Sequence, residues 1–305
     1  MRRLIGVEVR RLASRPLSRG LLVAAAVVAL GAAIVVAVLS HPATQAAVER
    51  SELEYERTVE QCIRSGFRPP FALYPKDARA EFCEEAVPKA DFTFQLTLLD
   101  DVLEGVDVPG TSFPLTMAAG VLGASFLGAE FTRRTMTVTL TWIPDRVRVI
   151  VSKVVSAGVA VFVMALVLQL FVGLVLAAAA GLRGTTGGMS AEVIADTFGA
   201  GARVAAVASL AAMAGASLAV IAGSTAGALG IGLLYALVET LIKGLEDVAW
   251  LRWLLGENAV VFVVGGGERG AALGRSVLDS TVILVVSTAA LFGAAVALFS
   301  RRDLA

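Results

Sequence analysis

The chain has 305 residues, 57% of them hydrophobic and 17% charged, with a mean hydropathy of +0.78. That is too apolar for an ordinary water-soluble domain and predicts an all-α protein crossing a membrane several times. Lys+Arg 26 balance Asp+Glu 26, so net charge argues for no nucleic-acid partner and the information lies in where the charges fall.

Residues 1–19 carry Arg2, Arg3, Arg10, Arg11, Arg15 and Arg19 against a single acid, Glu8. Leu4, Ile5, Val9 and Leu12 recur at near-helical spacing, which predicts a cytoplasmic amphipathic helix lying on an anionic membrane surface. The same arginines also serve as topology signals, and the two readings are compatible. Pro16 breaks this helix from the first span, residues 20–40, whose apolar run exceeds that of a cleavable signal peptide and reads as a retained anchor.

Residues 41–112 change character. They are rich in Glu and Asp, with about half as many basic residues, as expected for an external segment. Helical stretches are predicted over 44–65, 75–87 and about 92–105, with a turn at Pro69-Pro70, giving a small helical subdomain between spans one and two. Cys62 and Cys83, the only cysteines, both fall here, a placement that favours a disulfide over two buried free thiols. Closing a loop of about 20 residues stabilises by roughly 3 kcal/mol in the chain-entropy account. No histidine lies nearby except His41, so a metal site lacks ligands.

The second span is placed at 113–129 and the third at 154–182, the latter free of charge over most of its length. Between them, residues 130–153 hold Glu130 and Asp145 against Arg133, Arg134, Arg146, Arg148 and Lys153, a basic excess that marks a cytoplasmic loop. Within it, Thr135 to Trp142 alternates polar and apolar like a half-buried strand, but a lone strand here has no partner.

Residues 183–190 form a Gly- and Thr-rich external turn, 191–202 an amphipathic lead-in, and 203–222 the fourth span. The turn Gly223 to Gly227 has GxxxG spacing with Ala211 and Gly215 upstream, a pattern that lets helix backbones approach closely. The fifth span, 226–242, ends at Glu239 and Lys243, four apart and able to pair at the membrane interface; a substrate contact is the second reading. Residues 243–279 are external. Their stretch from Gly265 to Ser276 lacks the glycine spacing and lysine of a phosphate-binding loop and reads as a turn. The sixth span, 280–300, is followed by a short basic tail, 301–305, which returns the C-terminus to the cytoplasm.

An intramembrane enzyme is disfavoured: the chain has one histidine and no HExxH, and Ser156, Ser209 and Ser217 read as packing residues. No catalytic residue is assigned.

Glu130, Thr135, Leu140, Pro144, Arg146 and Lys153, set between two spans, resemble a recurring pattern of ABC-2 type transporter permeases. The chain departs from it at Arg134, where the family often carries Gly. The ending Phe299-Ser300-Arg301-Arg302-Asp303-Leu304 resembles how many such permeases finish. The resemblance covers the membrane region and not the acidic insert. It implies that residues 130–153 hold a short helix docking on a separate ATPase, and that short half-buried helices follow the fifth span. Residues 245–255, with Trp250 and Trp253, suit the latter, or a plain loop with an aromatic belt.

The expectation is therefore a permease subunit in a bacterial cell membrane, with both termini cytoplasmic and residues 41–112 external. It would pair with a second copy, the same or related, and be energised by a partner ATPase holding ATP and Mg. This chain carries no nucleotide motif and no cofactor of its own. Export is favoured by the resemblance alone, while spans of Ala, Val, Leu and Gly suit a lipid-like or amphipathic drug-like cargo. The alternative is a membrane scaffold or receptor whose external subdomain binds an envelope partner.

Overall fold

A computed structural model describes residues 2–39, 45–65, 108–133, 135–183, 191–243, 251–266 and 274–301. Its longer elements are all helices: α1 Arg2–Ala13, α2 Pro16–Leu39, α3 Gln45–Ser65, α4 Val108–Thr132, α5 Thr135–Trp142, α6 Arg146–Arg183, α7 Ala191–Ala222, α8 Thr225–Lys243, α9 Leu255–Val264 and α10 Val277–Arg301. No strand occurs among the described residues. Among the described residues, five stretches, in α4, α6, α7, α8 and α10, are long and apolar enough to cross a membrane. The expected first span falls on α2, a 24-residue helix that is not among the five. Of the external subdomain only α3 is described; the helices expected over 75–87 and 92–105 lie outside the described residues.

Helix ends follow local chemistry. Pro16 takes the first position of α2, where its missing N–H costs nothing and its fixed φ suits the helix. Asp145 caps α6: its Oδ1 accepts the Arg148 N–H at 3.0 Å. This places the start of the helix at Arg146, ahead of the charge-free run from Val154, so Lys153 sits about 10 Å along α6. At 38 residues α6 is about 57 Å long, well beyond a hydrocarbon core of about 30 Å. The lead-in expected over 191–202 is continuous with the fourth span in α7. Gly223, at φ 71, then turns the chain, and Ser224 Oγ accepts the Gly227 N–H at 3.0 Å to open α8. A capping box opens α10: Ser276 Oγ accepts the Asp279 N–H at 3.2 Å, while Asp279 Oδ2 accepts the Ser276 N–H at 3.1 Å.

The strand-like run Thr135 to Trp142 is helical. Thr139 Oγ1 donates to the Thr135 carbonyl at 3.1 Å and Thr141 Oγ1 to the Val138 carbonyl at 2.7 Å, so these hydroxyls are satisfied inside a helix. Alternation misled because these polar groups bond along their own turn and do not face water on one side of a sheet.

Helix α7 is the centre of the bundle, packing on α4, α6, α8, α9 and α10. Its buried stripe, Ala205, Ala208, Ala212, Ala216 and Ala219, recurs at helical spacing. Small side chains let α4 approach until backbones touch. A Cβ on Gly123 would collide with the Ala212 carbonyl, and one on Gly215 with the Gly120 carbonyl. Gly215, singled out by spacing alone, thus sits in a true close contact; Gly227 instead packs on Ala222 of the preceding turn.

Candidate functional site

Two polar clusters stand at opposite ends of the bundle. The first joins α1, α4 and α6. Lys153 Nζ lies 2.7 Å from Glu8 Oε1 and 2.9 Å from Glu130 Oε2, and Arg11 Nη1 lies 3.1 Å from Glu130 Oε1. The Lys153 side chain is 1% exposed and that of Glu130 3%. The buried Lys153 is paired with both carboxylates, as burial demands, because an unpaired charge at such a place costs several kcal/mol. Phe126 floors the cluster, with Lys153 Nζ 5.7 Å and Arg15 Cζ 4.8 Å from its ring centroid. Arg15 Nη1 also donates to the Ser125 carbonyl at 3.2 Å. Burial lowers the Arg15 guanidinium from the ordinary arginine value, with the field of Glu130 opposing that shift.

This arrangement changes the meaning of α1. Its Glu8 and Leu12 are buried, and Ser156 Oγ of α6 reaches the Ile5 carbonyl at 3.5 Å, so α1 is seated on α6 by a face that includes its one acid. The apolar stripe Leu4, Ile5, Val9 and Leu12 describes that face incompletely.

Of the residues singled out over 130–153, Glu130 and Lys153 meet in this buried cluster and offer no surface to a docking partner. Thr135 Oγ1 donates to the Glu130 carbonyl at 3.4 Å, linking α5 to the end of α4. Leu140 packs against the core and Arg146 is half-buried, whereas Pro144 is exposed. Arg134 lies outside the described residues. The outward face of α5 belongs to residues not singled out: Val138, and Trp142 at 84% exposure, one turn apart.

The second cluster joins α8 to α9. Lys243 Nζ lies 3.0 Å from Glu239 Oε1 and 3.0 Å from Glu257 Oε1, so the pair read from i,i+4 spacing belongs to a triad. Tyr235 Oη accepts the Leu255 N–H at 2.8 Å and Glu239 Oε2 the Gly256 N–H at 3.3 Å. Side chains of α8 thereby satisfy the otherwise orphan N–H groups that open α9, with negative charge at the positive helix end. A Cβ on Gly256 would press on the Glu239 carboxylate, which would have to shift away from the start of α9. Residues 245–250, expected to begin a half-buried helix, lie outside the described residues. The short apolar helix of this region is α9, Leu255–Val264. Gly265, at φ 81, closes it, and Arg203 Nε donates to the Val263 carbonyl at 3.0 Å.

No family model, curated protein or solved structure matches this chain. Function must be argued from these clusters.

Among the described residues no group of acids, histidines and cysteines could hold a metal. Cys62 lies near the end of α3, and Cys83 lies outside the described residues, as does the geometry of any bond between them. Sequence reasoning missed Glu8 and Glu257. The signal for Glu8 was present: one acid among the six arginines of residues 1–19 is out of place unless a cation from elsewhere holds it. Glu257 had none, because its partner lies on another helix.

Proposed function

We propose that this chain is the permease subunit of an ATP-driven ABC transporter, energised by a separate ATPase docked on residues 130–153. One observation supports the reading most. Helix α5 stands between two membrane-length helices, presents Val138 and Trp142 outward, and is bounded on both sides by the buried Glu130 and Lys153. Such a segment suits the passing of a push from a partner to the spans. Exposed residues make the contact, and the buried cluster carries displacement into α4, α6 and α1 as one unit.

On this reading α2 is the first of six spans, the Glu8–Lys153 end of the bundle is cytoplasmic together with both termini, and 41–112 is external with a Cys62–Cys83 disulfide. Two permeases, the same or related, form the path at their interface in a bacterial cell membrane. Its cargo is lipid-like or amphipathic and is exported. ATP and Mg belong to the partner.

The test is mild detergent purification of the tagged chain from its native membrane, with ATPase assays on the wild type and on Trp142→Ser. Recovery of a Walker-motif ATPase whose hydrolysis depends on this chain, and whose association weakens in Trp142→Ser, supports the proposal. Recovery of the chain without any ATPase, together with a partner held by residues 41–112, favours the non-transporting scaffold.

A further inference from the structure

We propose that Arg252, Trp253 and Arg275 form a binding site for the phosphate of an anionic lipid headgroup. Arg252 Cζ lies 5.7 Å and Arg275 Cζ 5.0 Å from the Trp253 ring, so two guanidinium groups flank one indole that is 57% exposed. Arg252 is exposed and Arg275 half-buried.

Among the described residues the acid that reaches this pair is Asp279, which lies within the electrostatic field of Arg275, so two guanidiniums face one carboxylate. The described acids of the adjoining helices are engaged by other groups as well. Asp279 accepts from the Ser276 N–H and hydroxyl, at 3.1 and 2.8 Å. Glu239 and Glu257 share Lys243.

The site also lies where headgroups are. Phe299, near the far end of α10, packs edge-to-face on Phe131, next to Glu130, with ring centroids 6.0 Å apart. Arg275 precedes the other end of α10, and the 23 residues from Val277 to Phe299 rise about 33 Å, close to one hydrocarbon thickness. A tryptophan at that level is at home in the interface, and arginine pairs planar donors with phosphate oxygens. Two arginines facing the one carboxylate of Asp279 leave an excess of cation beside lipid, which such an anion would balance. An anionic headgroup is favoured over a zwitterionic one because it brings no ammonium to oppose the guanidiniums. The inference does not depend on ATPase coupling; only the assignment to the outer leaflet rests on the orientation proposed above.

The experiment is native mass spectrometry of the full chain released from nanodiscs of phosphatidylglycerol, phosphatidylcholine or an equal mixture, with and without millimolar inorganic phosphate. The wild type should retain phosphatidylglycerol in preference to phosphatidylcholine. Retention should fall about fivefold in Arg252→Gln and roughly 25-fold in Arg252→Gln/Arg275→Gln, at about one surface charge per arginine. Arg252→Lys/Arg275→Lys should keep most of it. If the double glutamine variant does not fold, Arg252→Gln alone decides, since that side chain is exposed. Equal retention in wild type and variants, or no preference for the anionic lipid, overturns the proposal. Displacement by inorganic phosphate overturns it too, because the site would then be one for the free ion.

Discussion

Glu8 and Lys153 are 145 residues apart in the chain, yet the Lys153 ammonium donates to the Glu8 carboxylate at 2.7 Å inside the bundle. The contact fixes the N-terminal helix to α6 and leaves Lys153 shared with Glu130. Three helices therefore meet at one cation.

Removing that cation should be severe. Lys153→Met leaves Glu8 and Glu130 buried with only Arg11 between them, and the expected loss is about 3–5 kcal/mol. Thermal melting in detergent measures it. Glu8→Gln should cost less and should be strongly non-additive with Lys153→Met, with a coupling of about 1–3 kcal/mol. Additive effects would mean that the pair contributes nothing as a pair.

The α4–α7 contact gives a sharper steric test. Gly123→Ala places a methyl group against the Ala212 carbonyl, where backbone must move, and is expected to cost about 3 kcal/mol. Gly230→Ala, in α8, meets nothing within 4 Å and should be neutral or stabilising by up to about 1 kcal/mol through helix propensity. Similar melting temperatures for the two variants would contradict the close approach.

A related pair tests the second cluster. Gly256→Ala should cost less than Gly123→Ala, about 1 kcal/mol, because the new Cβ displaces only the movable carboxylate end of Glu239. Combining it with Glu239→Ala should cost less than the sum of the two single changes, since the obstacle is then gone. Melting of the three variants reads this directly, and strict additivity would show that the two residues do not touch.

Ser276→Ala removes the hydroxyl half of the box that opens α10, with an expected loss of about 1 kcal/mol. Hydrogen exchange of the first-turn amides of α10 should rise while the centre of the helix stays protected. Unchanged exchange would mean that the cap is dispensable.

Much of the framework was legible from the chain. Apolar runs as long as a bilayer needs act through neighbours in sequence, so the membrane-length stretches of α4, α6, α7, α8 and α10 could be read without contacts, whereas the serine three residues before Asp279, which opens α10, went unread. Spacing even found Gly215, because close helix packing demands small residues whatever the partner helix is. The roles within the loop were not legible in the same way. Glu130 and Lys153 stand out as charges, but whether a charge faces a partner or an internal counter-ion depends on what another helix brings to it. Here that is Glu8 and Arg11 from the far N-terminus. The same holds for Glu257 at Lys243 and for Arg275 beside Trp253. Composition and periodicity settle which segments leave water, since that is a property of each segment alone. Only the tertiary packing decides which buried charges meet, because desolvation is offset by pairing across helices and pairing is a property of two segments together.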